Sequence, residues 1–370
     1  MARSHAAPDA AAVVAYLDAQ HRDWRHGNEY LRERAEGYQQ TVFALHTTDS
    51  EIRACAEERA NEAMGVADRA HDKAAIAAVL VDLCKRWNVR APQVDGERVT
   101  MAGMIARVCD SQWWSRNLRA MHGVALESEA IRLGLVHKGQ DCYVSEENLT
   151  RRAQQNRHNQ KVLERTFAVN EDGECFSMWD LSQRSISNKA YRRGELMLRM
   201  RGMEEVAKGA GHPAEFTVVT PPSRFHCIRA NGTINEKYEG CTPKDALAYL
   251  NRQWQGCRAW LQRRGVEFYG MRTVEAHHDG TPHWNFLCFF AKQEHVKVWQ
   301  EAIRRYFLLA DSPDEKGAAE HRLRFETITE EKGGATAYIA KYISKNIDGM
   351  GVEQDLLGND IVVATQRVEA

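Results

Sequence analysis

Apolar residues in the first third of the chain recur at helical spacing. A long charged, alanine-rich stretch follows Asp49, and Asp72 opens a more apolar helix through Ile76, Val79, Leu80 and Leu83 to Trp87. Pro92 ends that region, and Trp113, Trp114, Leu118 and Met121 mark another buried helix face. Nearer the start, Asp9 caps a helix carrying Val13, Val14 and Leu17. These positions read as the core of a helical accessory domain over residues 1–135, with no chemistry among them. Ser145 begins a further helix through Lys161, whose amides and Arg151, Arg152 and Arg157 suit contacts to phosphates and bases as well as they suit a solvated face.

The period changes after Gly209 and Gly211. Glu215–Thr220 alternates as a strand and is ended by Pro221 and Pro222. Thr242 with Pro243 starts a helix that carries Leu247, Leu250, Trp254, Cys257 and Leu261 on one face and stops at Gly265. Strands over 266–277 and 281–290 come next, then a helix with Val296, Trp299, Ala302, Ile303, Tyr306 and Phe307, then a strand over 322–329. The order β-α-β-β-α-β predicts an α+β fold of the ferredoxin-like kind, with helices on one face of a mostly antiparallel sheet.

Between the two middle strands, Asp279-Gly280 is a strong turn signal, glycine supplying the positive φ of a tight hairpin. A three-residue loop from His278 to Gly280 pairs His277 with Thr281, Glu275 with His283 and Thr273 with Asn285. Opposed residues share a face, so Glu275, His277, His283 and Asn285 project together, continued by Leu287 and Phe289. Trp284, Phe286, Cys288 and Phe290 fill the other face, so the strand over 281–290 is expected to be central and buried on both sides. A carboxylate and imidazoles converging at the end of such a strand form a divalent-metal constellation. Histidines that merely cap a turn are the alternative, and a second element weighs against it. Tyr338, Lys341, Tyr342 and Lys345 fall at i, i+3, i+4 and i+7, on one helix face, while Ala340, Ile343 and Ile347 face the sheet. A phenol with a pKa of ~10 is a weak nucleophile and needs cations or a metal-polarised electrophile, which a metal-bound phosphate supplies.

Composition changes this picture little. Lys and Arg total 50 against 51 Asp and Glu, so a nucleic-acid surface has to come from local segregation of charge. From Arg184 to Arg201 six basic residues (Arg184, Lys189, Arg192, Arg193, Arg199, Arg201) face one acid, Glu195, with Tyr191 among them. Such a run suits single-stranded nucleic acid through phosphate attraction and base stacking, or stands as a solvated face. The nine cysteines contain no C-x-x-C pair, which points to a reducing cytoplasm rather than a disulfide framework or zinc module. Neither a secretory signal nor a membrane-spanning run is read, and no Walker-type phosphate loop is found.

H-hydrophobic-H on a strand followed by Y-x-x-K-Y on a helix resembles the HUH endonucleases of rolling-circle replication, and most nearly their phage replication gene A protein group with two tyrosines. Phe216–His226 looks like that group's first motif, Glu275–Phe290 the second and Tyr338–Asn346 the third, within a resemblance from Gln112 to Asp348. One position departs: Asn285 stands where the second histidine belongs, and an amide oxygen binds a transition metal less strongly than imidazole does.

The resemblance implies a palm-like HUH nuclease domain over 211–350, preceded by a basic helical DNA-binding linker over 136–210 and followed by a tail over 351–370. It implies an enzyme that nicks an origin strand in the cytoplasm of a bacterial host. Glu275, His283 and Asn285, with His277, would hold Mg²⁺ or Mn²⁺. Tyr342 or Tyr338 would attack to leave a 5′-phosphotyrosyl link, Lys341 and Lys345 would steady the added charge, and the second tyrosine would act after one round. Tyr342 is preferred as first attacker because Lys341 precedes it and Lys345 lies one turn on. Arg192, Arg193, Arg199 and Arg201 would bind single-stranded or origin DNA; Arg224 and His226 are candidates for the same task or for a structural loop. A separate host helicase would open the duplex. The competing reading is an origin-binding protein of the same fold, weakened or inactivated through Asn285.

Overall fold

The structure is a computed structural model that describes residues 42–69, 72–229, 232–329, 334–351, 353–355 and 357–370. The helix expected from Asp9 to Leu17 lies outside them. The chain divides into two compact units, one ending at Glu129 and one running from Ala130 to Ala370. The first is helical: α1 (Asp49–Arg69), α2 (Lys73–Arg86), α3 (Met101–Val108) and most of α4 (Ser111–Arg132). The Asp72 carboxylate caps α2, accepting from the amides of Ala74 and Ala75 at 2.9 and 3.3 Å. Ile52, Leu80, Leu83, Trp114 and Leu118 form the core. Val79, expected on the buried face of α2, is exposed, because Ile76, Ala77, Leu80, Leu83 and Cys84 occupy the stripe that meets the neighbouring helices.

The second unit continues with α5 (Glu146–Arg165), started at Ser145 as its sequence indicates, with the hydroxyl accepting the Asn148 amide. None of its residues is buried. A short antiparallel hairpin, β1 (Phe167–Val169) and β2 (Cys175–Ser177), follows, then α6 (Met178–Gln183) and α7 (Lys189–Ala210), which Gly211 ends at φ 68°.

Next come β3 (Ala214–Val219), α8 (Pro243–Arg263), β4 (Phe268–Ala276), β5 (Pro282–Phe290), α9 (Gln293–Arg304), a turn of helix α10 (Ala318–His321), β6 (Leu323–Ile328), α11 (Gly334–Ile347) and α12 (Ile361–Glu369). The four strands form one sheet in the order β4-β5-β3-β6, with every neighbouring pair antiparallel. The protein is thus a mixed α+β structure, and β5 is interior, bonded to β4 on one side and β3 on the other.

The two helices of the β-α-β-β-α-β unit, α8 and α9, cover one face of the sheet as expected, and α7 and α11, from outside that unit, cover the other. Trp284, Phe286, Cys288 and Phe290 pack with Trp299 and Ile303 of α9 and with Leu250, Cys257 and Leu261 of α8. Leu247 is exposed, its expected place on the buried face of α8 being taken by Ala246 and Tyr249. On the opposite face Phe216, Leu287 and Phe289 pack against Met200 and Ala207 of α7 and against Ile339 and Ile343 of α11. The physical cause lies in β5 itself. It is apolar on both faces, and each large side chain removed from water contributes roughly 1.5–3 kcal/mol, so leaving either face bare would be costly.

Candidate active site

Gly280 closes the β4–β5 turn at φ 80°, with the His277 amide bonded to Thr281 O at 2.8 Å and the Gly280 amide to His277 O at 2.9 Å. Glu275 lies opposite His283, and Thr273 opposite Asn285, in the register expected from the turn. Glu275 is 2% exposed. Its Oε2 lies 3.3 Å from His283 Nε2 and accepts from Asn285 Nδ2 at 3.1 Å, while Lys345 Nζ approaches Oε1 at 3.9 Å. Burial pushes the Glu275 carboxyl up, but the bond to His283 and the Lys345 charge outweigh it and hold it below the usual range.

His277 lies between two other imidazoles, tilted against the His283 ring at 4.4 Å and edge-on to that of His226 at 5.1 Å. Burial first, then the neighbouring His283 and His226, push its pKa well down, so it is neutral at pH 7 with a lone pair to offer. His226 Nδ1 is 2.9 Å from the buried carboxylate of Asp279. Burial raises Asp279, yet the adjacent His226 holds it below the ordinary value.

Glu275 Oε1, His277 Nε2 and His283 Nδ1 are buried with no hydrogen-bond partner. Among the described residues no three His, Cys, Asp or Glu side chains already converge on one point, so the case for a cation rests on these orphaned atoms. A carboxylate oxygen, imidazole nitrogens and an amide oxygen suit a hard or borderline divalent ion.

The tyrosine helix α11 lies over the same face and is fastened to α7 at both ends. At its start the Glu204 carboxylate of α7 accepts the amides of Ala335 and Thr336, each at 3.0 Å, and the Thr336 hydroxyl. Just past its end Arg193 of α7 bonds Asp348 at 2.8 Å. Glu204 is thus an N-terminal cap supplied by another helix. Burial pushes its carboxyl up, but the Thr336 hydroxyl and the two amides outweigh it and leave the pKa below the ordinary glutamate value. A depressed carboxyl contributes stability above its unfolded pKa and loses it as the pH falls through the folded one. We therefore expect Glu204→Gln to lower Tm at pH 7 by the equivalent of about 1 kcal/mol and to shrink the loss of stability below pH ~4.5. An acid unfolding curve parallel to that of the wild type would refute the cap.

Tyr342 is 5% exposed and stacks on Phe216, with centroids 5.2 Å apart and planes at 25°. Tyr338 lies against the same ring at 4.7 Å, and its hydroxyl donates to Glu326 of β6. Both phenols are raised: Tyr338 by burial and then Glu326, to about 12, and Tyr342 by burial, Tyr338 and Glu275. Lys345, expected beside Tyr342, instead turns to Glu275 and lies 4.6 Å over the ring of Tyr143. Lys345 is thus committed to Glu275 rather than to lowering the Tyr342 phenol, and the Lys341 side chain lies outside the described residues.

Tyr143 is a site residue that no sequence signal marks. It adopts φ 74°, uncommon for a bulky residue, and its amide bonds His278 O at 3.1 Å. Its hydroxyl donates to Asp355, 212 residues along the chain, a separation that no local spacing reveals. Glu204, 131 residues from Ala335, was missed for the same reason, and Glu326 because it reaches Tyr338 from a different element, β6.

The basic candidates divide. Arg192 and Arg199 are exposed, and Arg201 pairs with Glu205 one turn on at 3.0 Å. Arg193 is engaged by Asp348. Arg224 bonds Asp311 at 2.8 Å, approaches Glu239 at 3.5 Å and lies 4.6 Å over Phe225, so it ties loops together. His226 does the same through Asp279. Of these six, His226 alone meets the Glu275 cluster, through its contact with His277.

The site is thus a buried carboxylate–imidazole cluster beneath a helix that carries two phenols. Residues 38–350 match the family model of the bacteriophage replication gene A protein, and the chain belongs to that family. It is 39% identical over 258 residues to the replication protein of Haemophilus phage HP1 (strain HP1c1), covering 69% of this chain and 32% of that protein. It is 35% identical over 278 residues to the replication gene A protein of Escherichia phage 186, covering 72% of this chain and 40% of that protein. A probable replication endonuclease from a prophage-like region of Salmonella paratyphi A (strain ATCC 9150 / SARB42) is 36% identical over 253 residues, 68% of this chain and 31% of that protein. The matched region thus spans roughly a third of these curated relatives. No solved structure matches.

Proposed function

We propose that the chain is a replication endonuclease that nicks one origin strand and becomes joined to it through tyrosine, on the ferredoxin-like frame of an HUH endonuclease. The observation that carries this is the set of orphaned buried atoms of Glu275, His277 and His283 under a helix that presents Tyr338 and Tyr342. Family membership and the relative named as a replication endonuclease support it. Glu275 and His283, with His277 and the Asn285 amide oxygen, would hold Mg²⁺ or Mn²⁺. When bound, such an ion polarises the scissile phosphate.

Lys345 meets Glu275, and Tyr342 lies one helical turn, about 5.4 Å along the axis of α11, nearer Lys345 than Tyr338 does; Glu275 is also among the groups that raise the Tyr342 phenol. We assign the first attack to Tyr342 on this ground. Its phenolic oxygen forms the bond to phosphorus as the phenolic proton passes to solvent, and the bond to the 3′ oxygen breaks with that oxygen taking up a proton from solvent, giving a 5′-phosphotyrosyl link and a free 3′-OH. Tyr338, whose hydroxyl already donates to the Glu326 carboxylate, would make the second attack. Lys345 would offset the charge that builds on the phosphoryl oxygens. A separate host helicase would supply strand opening.

Incubation with labelled single-stranded origin DNA tests the reading. A covalent band on a denaturing gel supports the endonuclease. A shift in a native gel without such a band supports the competing reading, an origin-binding protein of the same fold.

The basic helix gives a separate expectation. Arg192→Ala with Arg199→Ala should weaken binding to single strands and take roughly 0.7 off the log–log salt slope for each phosphate no longer neutralised. Arg193→Ala should instead lower Tm, since its partner is Asp348. An unchanged slope in the double variant would make Arg192 and Arg199 a merely solvated face.

A further inference from the structure

Helix α5 is unusual because none of its residues is buried, yet it runs for 20 residues. A helix that is polar all round has to be held by its own side-chain pairs or by something it meets. Its own pairs are present: Arg151 with Glu147 at 2.8 Å, Gln155 with Asn159 at 2.6 Å and Gln160 with Glu164 at 2.9 Å. Its first turns are also anchored, since Arg367 of α12 bonds the Val144 carbonyl at 2.9 Å and the Glu146 carboxylate, and Arg152 lies 3.8 Å from Glu369. Beyond these anchors, residues 156–162 are all exposed.

Of the partly buried residues, Asn148, Arg151, Gln155 and Leu163 fall on one side of the helix, flanked by Glu147 and Leu149 in the first turn. The adjoining exposed side carries Thr150, Gln154, Arg157, His158, Lys161 and Arg165 at helical spacing, with Glu164 at its edge and the acids Glu146 and Glu147 in the first turn. Arginine and lysine seek phosphates and guanine edges, and glutamine pairs in bidentate fashion with adenine, which makes this face complementary to the major groove of duplex DNA. An α-helix fits that groove in width, whereas single strands are held by aromatic stacking, and no aromatic residue lies on α5.

Position adds a second argument. The helix is capped by Ser145, two residues after Tyr143, whose ring lies under Lys345 and whose amide holds the β4–β5 turn. Helix α5 therefore springs from the wall of the candidate active site. At 1.5 Å per residue it extends about 30 Å, close to one turn of B-DNA.

We infer that α5 is a duplex-reading helix: it lies in the major groove beside the nick and recognises the double-stranded flank within about one helical turn of it. The inference rests on the endonuclease reading above. Gln154 reads a base edge, and Arg157, Lys161 and Arg165 contact the phosphates that border the groove.

The test uses the whole chain carrying Gln154→Ala, Arg157→Ala and Lys161→Ala together, with unchanged circular dichroism as the folding control. Binding is measured by fluorescence anisotropy across a salt series, on a random-sequence duplex library and on the separated strands of that library. The expected result is a duplex salt slope smaller by roughly 0.9 for each cation removed, with binding to the separated strands unchanged. In a binding selection from the duplex library, Gln154→Ala alone should relax base preference at one position, by roughly 5- to 150-fold. An unaltered duplex slope overturns the inference, and so does an equal loss on duplex and single strands. Covalent adduct formation on a single strand is scored separately: its absence in the wild-type chain would sink the endonuclease reading and leave the duplex measurement to stand by itself.

Discussion

With both Tyr338 and Tyr342 changed to Phe, no covalent adduct with DNA should form, a loss of at least about 10⁴-fold, the scale seen when a nucleophile is removed. The two rings pack on Phe216, and phenylalanine keeps that packing, so the fold should survive. Each single variant should behave differently. Tyr342→Phe should slow the first cleavage of a short single strand strongly, because the remaining phenol lies one turn further along α11 from Lys345, which meets Glu275. Tyr338→Phe should leave a single cleavage nearly intact but stop repeated rounds, since a second phenol is needed while the first is esterified. In the free chain both phenols titrate above the ordinary value of ~10, Tyr338 at about 12. They are protonated at neutral pH, and the reactive phenolate grows about tenfold per pH unit below the pKa. Adduct formation should therefore rise with pH between 7 and 9 wherever removal of the phenolic proton limits the rate. Mass spectrometry of the nucleotide-bearing peptide decides the assignment: a first-round link found only on Tyr338 would reverse the order of attack, and a link on neither would dispose of the mechanism.

The second large effect concerns the hairpin. His283→Ala should abolish adduct formation, because His283 is both a proposed ligand and the partner of the Glu275 carboxylate at 3.3 Å. Asn285→His should act the other way and tighten Mn²⁺ by about tenfold or more, ~1.4 kcal/mol, through a stronger imidazole donor on an unchanged strand face. Competition against a fluorescent chelator measures this without reference to activity. Full adduct formation by His283→Ala in excess EDTA would show the metal assignment to be wrong. An affinity unchanged by Asn285→His would show that this position faces no cation.

Much of the frame was legible because it depends on short-range rules. The Asp279-Gly280 turn fixes the register of β4 and β5, and with it the pairing of Glu275 with His283. The apolar content of both faces of β5 indicated an interior strand, and caps at Asp72, Ser145 and Thr242 marked three helix starts. What stayed hidden depends on pairings between distant parts of the chain. Helical periodicity placed Tyr338 and Tyr342 on one face but could not say that Glu326 waits opposite one of them. A run of positive charge located α7 but did not reveal that Arg193 is committed to Asp348, 155 residues away. Lys345 was placed near the phenols by spacing, whereas its ammonium group responds to Glu275, which came from the other motif. The β1–β2 hairpin escaped because strands of three residues are too short to show a period.

The fastening of α11 to α7 bears on how the protein can be cut into pieces. A fragment that starts at β3 keeps the sheet and the tyrosines, yet it loses the carboxylate that caps α11 and the guanidinium that holds Asp348. It also uncovers the apolar side of α11 that meets Met200 and Ala207. Such a fragment would carry each proposed ligand and both phenols while lacking what holds the phenols over them. The smallest piece expected to keep its nucleophiles in register therefore begins ahead of Lys189.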